Sequence, residues 1–121
     1  MILKKLPYDL SICKLSSIAE LNLKKDFYFI GRTEQELSLV CKTDVVPAAA
    51  VAREDGWRGL YIDGALDFSV IGILAELSGI LAKNRIGIFA VSTYDTDYIL
   101  VKEENYQRAI NALADAGYII E

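Results

Sequence analysis

Asp67-Phe68-Ser69-Val70-Ile71-Gly72-Ile73-Leu74, which runs on through Leu81 to Asn84, decides how the rest of the chain is read. Val70, Ile71, Leu74, Leu77 and Leu81 recur at helical spacing, and Asp67 suits the position just before a first turn. The spacing predicts a helix over residues 68–84, capped by Asp67 and buried along that stripe. Gly72 and Gly79 fall on its other side, where a close approach by another element would explain them. Upstream, residues 57–62 read as a strand closed by Asp63-Gly64.

Downstream, residues 86–91 are apolar almost throughout, the mark of a strand covered on both faces. Tyr94-Asp95-Thr96 is turn material and residues 97–102 resume β-type residues, so a hairpin is expected. Glu103 and Glu104 suit a helix start, where carboxylates meet the positive end of the dipole. Tyr106, Ala109, Ile110 and Leu113 form that helix's buried stripe, Gly117 fits its C-terminal cap, and residues 118–120 make a last strand. The order from Trp57 is β-α-β-β-α-β. With right-handed crossovers it gives a four-stranded antiparallel sheet with both helices on one face, the ferredoxin-like arrangement. The opposite face is left bare, and residues as apolar as Ile86, Ile88 and Phe89 predict docking there.

The first half is less regular. Residues 8–15, 27–32 and 37–41 read as strands, with a turn at 31–35, room only for a loop or short helical turn over 16–26, and a second short connection at Pro47 and 48–52. Arg53-Glu54-Asp55 reads as a solvated loop. The fold class is thus α+β, a ferredoxin-like βαββαβ unit (residues 56–121) preceded by a shortened β-rich unit (residues 1–55).

Composition narrows the function. Hydrophobic residues at 53% against 25% charged give a packed globule rather than disorder, and the net charge of −4 leaves no footprint for nucleic acid or anionic lipid. The longest apolar stretch, residues 70–82, is interrupted by Glu76 and Ser78 and is too short to span a bilayer, and the N-terminus lacks the pattern of a secretory signal. A cytoplasmic protein is expected. Cys13 and Cys41 read as reduced core residues, because two thiols without a histidine cannot complete a zinc site. Neither metal nor cofactor is expected.

The runs Phe68-Ser69-Val70-Ile71-Gly72-Ile73-Leu74, Asn84-Arg85-Ile86-Gly87-Ile88 and Ser92-Thr93-Tyr94-Asp95-Thr96-Asp97-Tyr98-Ile99-Leu100-Val101 resemble ACT domains. More narrowly they are similar to the regulatory ACT domains of aspartate kinases and to small tandem-ACT proteins related to the CASTOR arginine sensors. The resemblance implies two ACT units side by side, with a small effector at their junction. It places one side of the site at Asp63, Gly64, Ala65, Leu66, Asp67, Phe68 and Ser69, and the other at Ser92, Thr93, Tyr94 and Asp95 of an adjoining unit. The sequence departs from the aspartate kinases in having no kinase domain, so a free-standing sensor or subunit is expected, working as a homodimer or with a partner protein.

Elementary chemistry is compatible with that placement. Backbone N–H groups at a helix start receive an α-carboxylate, while Asp63, Asp95 and Asp97 are acceptors for an ammonium or guanidinium. Each has a plainer role too: Asp67 as a cap, Asp63 as a turn residue, Asp95 and Asp97 as solvated hairpin residues. Trp57 and Tyr61 read as core aromatics before pocket aromatics. Catalysis is not expected, since histidine is absent and no nucleophile–base pair or phosphate-binding glycine loop is visible. Asp95 and Asp97, two apart on a strand, would share a face but form no motif. The expectation is a regulatory protein binding an amino acid or related metabolite; the alternative is a structural or protein-interaction module without a small ligand.

Overall fold

The computed structural model describes residues 1–22, 24, 26–63 and 72–121, in two units. The larger joins Met1–Pro7 to Arg58–Glu121, and the smaller is Tyr8–Trp57.

In the larger unit the strands are β1 (Ile2–Lys5), the C-terminal part of β5 (Ala52–Ile62), β6 (Phe89–Ser92), β7 (Asp97–Lys102) and β8 (Ile119–Ile120), with helices α1 (Ile73–Lys83) and α2 (Glu103–Asp115). Their order is β6-β7-β5-β1-β8. The expected four-stranded sheet therefore has a fifth member. β1 lies antiparallel to β5, with Leu3 opposite Ile62, and parallel to β8, so it separates the first and last strands of the βαββαβ order. Ile2-Leu3-Lys4-Lys5 is too short and too lysine-rich to read as a strand unaided; its pairing on both sides makes it one.

Side-chain alternation sorts the faces. Leu3, Leu60, Ile62, Ile99 and Val101 meet Leu77 and Leu81 of α1 and Ala109, Ile110 and Leu113 of α2 in one buried cluster. Each fully buried leucine contributes roughly 1.5–3 kcal/mol of transfer free energy. By the same alternation Leu100 faces away from the helices, yet it has no exposed surface, so that side is not the uniformly bare face inferred from strand order.

Both helices end in the same way with different residues. After α2, Gly117 at φ 102 lets its own N–H and that of Tyr118 bond the carbonyls of Ala114 and Leu113 at 3.0 and 3.1 Å. After α1, the same pair of bonds runs from Arg85 to Ala82 and from Ile86 to Leu81, both 3.0 Å, and the left-handed position is held by Arg85 at φ 58. Tyr118 then donates to Glu76 Oε1 at 2.5 Å, and burial followed by that bond pushes its phenol up to about 12.

Three expectations change here. The helix begins at Ile73, because Gly72 precedes it in the left-handed conformation at φ 85; the predicted start at Phe68 and the cap at Asp67 lie outside the described residues. Nothing among the described residues lies within 4 Å of where a Cβ on Gly79 would sit, so none of them makes the close approach expected on that side of α1. β6 begins only at Phe89, with Ile86 buried before it as part of the α1 terminus.

The smaller unit holds β2 (Leu10–Leu15), β3 (Tyr28–Arg32), β4 (Leu37–Lys42) and the N-terminal part of β5, ordered β3-β4-β2-β5. Arg53-Glu54-Asp55 belongs to β5 and not to a loop, with Cys13 opposite Arg53 and Ile12 opposite Glu54. Ser11, fully buried, explains the register: its hydroxyl donates to Asp55 Oδ1 at 2.5 Å and lies 2.9 Å from Thr43 Oγ1. Both cysteines are reduced and buried, and burial raises both thiols, Cys41 to about 12 with Cys13 beside it.

Candidate functional site

The β6–β7 turn is built from its threonines. The Thr93 N–H and Oγ1 both donate to the Thr96 carbonyl, at 2.8 and 3.0 Å, and the Thr96 N–H returns a bond to Thr93 Oγ1 at 3.3 Å. A hydroxyl that closes its own turn is what Thr-x-x-Thr supplies at this spacing. Tyr94 and Asp95 are left at the tip, exposed, Tyr94 by 82%. Ser92 ends β6 opposite Asp97, which opens β7. Asp95 thus sits in the turn and only Asp97 on the strand, so the two carboxylates do not form a pair on one strand face.

Thr96 also reaches outward. Its Oγ1 donates to the carbonyl of Ile62 at 2.9 Å, which fastens the turn to the end of β5. Asp63 follows immediately, its N–H bonded to the Ile2 carbonyl at 2.9 Å and its carboxylate 3.9 Å from Lys4 Nζ. That ion pair is exposed and long, so it contributes little and leaves the carboxylate available. The structure therefore brings Asp63 and the Ser92–Thr93–Tyr94–Asp95 group together within one unit, where the resemblance placed them on adjoining units. Gly64, Ala65, Leu66, Asp67, Phe68 and Ser69 lie outside the described residues.

Tyr61, half-buried, stacks on Tyr98 with ring centroids 5.4 Å apart, and burial raises the Tyr98 phenol. At the head of α1 the residue before the first turn is Gly72, which has no side chain to cap it, and among the described residues no side-chain cap is made there. Among the described residues no group of three or more His, Cys, Asp or Glu side chains is placed to hold a metal ion. No helix among them is long and apolar enough to cross a membrane.

The sequence did not point to Thr96 as the residue joining the two halves of the site, although Thr93-x-x-Thr96 signalled the turn itself. Nor did it point to a cavity of about 440 Å3 in the smaller unit, whose lining comes from residues 20–47.

A family model described as the ACT domain matches residues 52–115. A protein of Agobacterium tumefaciens, solved by X-ray crystallography, is 33% identical at a TM-score of 0.86, over 98% of this chain and 90% of that one. The ligand-free regulatory subunit of aspartate kinase from Thermus thermophilus matches at a TM-score of 0.67 and 12% identity, over 97% of each chain. Escherichia coli aspartokinase III, solved with aspartate and ADP, matches at 0.63 and 15% identity, over 93% of this chain and 32% of that one. The two kinase likenesses are likenesses of fold.

Proposed function

The chain belongs to the ACT domain family, and from that premise we propose that it is a non-catalytic, cytoplasmic regulatory protein that binds an amino acid where β5 ends beside the β6–β7 turn. The observation that supports this reading most is the Thr96 hydroxyl on the Ile62 carbonyl, which fastens the β6–β7 turn to the end of β5, one residue before Asp63. Asp63 and Asp95 offer acceptors to an ammonium group, and the Ser92 hydroxyl and the backbone N–H groups at the head of α1 offer donors to a carboxylate. Gly64 to Ser69 complete the proposed site between Asp63 and α1. The regulatory subunit of an aspartate kinase has the same fold, which supports a regulatory role. A homodimer, or a complex with the protein it regulates, carries the signal onward.

A thermal-shift screen with the twenty amino acids tests this. An effector at a hundred times its dissociation constant adds about 2.7 kcal/mol to stability, well within what a melting curve resolves. A flat response to all twenty, with a partner protein raising the melt instead, sinks the sensor reading in favour of an interaction module.

A further inference from the structure

The smaller unit has a second place for a ligand. Its connections carry no helix like those that cover the other sheet: among the described residues of 16–26 and 43–51 the helical turns are the three-residue 3-10 turns Ile18–Glu20 and Thr43–Val45. The sheet face beneath them keeps a modest cluster of Cys13, Leu15, Leu37, Leu39 and Cys41. What the missing helices would fill remains as the cavity of about 440 Å3. Ordinary small-molecule sites are roughly 300–1,000 Å3 with mainly apolar walls. Here Leu21, Phe27, Tyr28, Leu39, Val45 and Pro47 supply such walls, and Glu20, Asn22, Lys24 and Asp26 the polar lining. We propose that this cavity binds a small molecule with an aromatic or branched apolar body and a primary ammonium group.

The charges decide for the ammonium. Asp26 is a fixed anion: its Oδ1 accepts from Lys42 Nζ at 2.9 Å and from the Phe27 N–H at 2.7 Å, and these bonds, Lys42 first, hold its carboxyl below the usual range. Its Oδ2 makes no hydrogen bond among the described residues and is left to accept one. Lys42 itself does not line the cavity, and among the described lining residues two carboxylates, Glu20 and Asp26, stand with one cation, Lys24. Glu20 plays a different part, since its Oε1 takes bonds from the Ser16 N–H and Oγ and from the Ser17 N–H, closing the turn that forms one wall.

The test is an NMR titration of amide resonances with three probes of one size: phenethylamine, phenylalanine and 3-phenylpropionate. Phenethylamine is expected to move Tyr28, Leu39 and Val45 while leaving Ser92–Asp95 unmoved, and 3-phenylpropionate to bind at least about tenfold more weakly, having no ammonium for Asp26. If phenylalanine binds this cavity more tightly than phenethylamine, the natural ligand is an α-amino acid; if less tightly, a simple amine. Val45→Trp changes a residue that is 48% exposed and fills the cavity without disturbing the core, so it is expected to abolish the response. Asp26→Asn is expected to weaken it about tenfold. No perturbation by any probe, equal binding of the carboxylate, or unchanged binding in Val45→Trp overturns the proposal. Shifts confined to residues 92–96 would overturn it while leaving the site of the larger unit standing.

Discussion

Replacing Thr96 by valine removes one hydroxyl and keeps the β-branched shape, so the backbone preference of the turn is unchanged. The lost bond is the 2.9 Å contact to the Ile62 carbonyl, made by a half-buried side chain. A neutral hydrogen bond contributes about 0.5–1.5 kcal/mol net, and a buried carbonyl left without its partner costs about 1–3 kcal/mol. A loss of about 1–2 kcal/mol follows, which for a protein of this size lowers the melting temperature by roughly 4–8 °C. Thr96→Ser keeps the hydroxyl and should stay within about 0.5 kcal/mol of the parent. Differential scanning calorimetry reads both. The same substitution frees the β6–β7 turn from β5, so amino-acid stabilisation should fall in Thr96→Val and persist in Thr96→Ser. A valine variant as stable as the serine one, with the ligand response intact, would refute the view that this bond assembles the site.

Four further outcomes follow from the geometry. Arg85→Gly should stabilise the protein by about 0.5–1 kcal/mol, because a non-glycine residue in the left-handed region costs about 1–2 kcal/mol and glycine gives part of that back as unfolded-state entropy; chemical denaturation checks it, and a destabilised variant would contradict it. Leu77→Ala, at a fully buried position facing both helices and sheet, should cost about 2–5 kcal/mol in the same assay. Asp95→Ala, in an exposed turn, should leave the unliganded melt within about 0.5 kcal/mol yet abolish the amino-acid shift. Folded-state values of about 12 for Cys41 and Tyr118, against ordinary values of 9.0 and 10.0, mean that the folded state holds these protons more tightly than the unfolded one. Their stabilising contribution is intact below pH 9 and is lost as pH rises from 9 toward 12, so denaturant midpoints should fall across that window and not below it.

The second half of the chain was legible because its elements are local. The stripe Tyr106, Ala109, Ile110 and Leu113, the strand Asp97–Lys102 and the cap at Gly117 each follow from periodicity and one punctuating residue. What escaped is non-local. Ile2–Lys5 is a strand because β5 and β8 flank it, and Arg53–Asp55 is paired because Ser11 anchors Asp55 across from it. The Arg85 terminus shows the same limit: no glycine announces it, and the bonds from Arg85 and Ile86 to the end of α1 hold it in place. At the site, the turn was readable from its threonines and aspartate. Its attachment to the end of β5 was not, since a hydroxyl-to-carbonyl bond over that sequence distance leaves no periodic signature.

The most direct test of an amino-acid site in the ACT unit is to map, by amide NMR, where the most stabilising amino acid binds. The prediction is saturable movement of Asp63, Ser92, Thr93, Asp95 and Thr96 together, lost in Asp95→Ala. Saturable binding that leaves all of these resonances in place would contradict it.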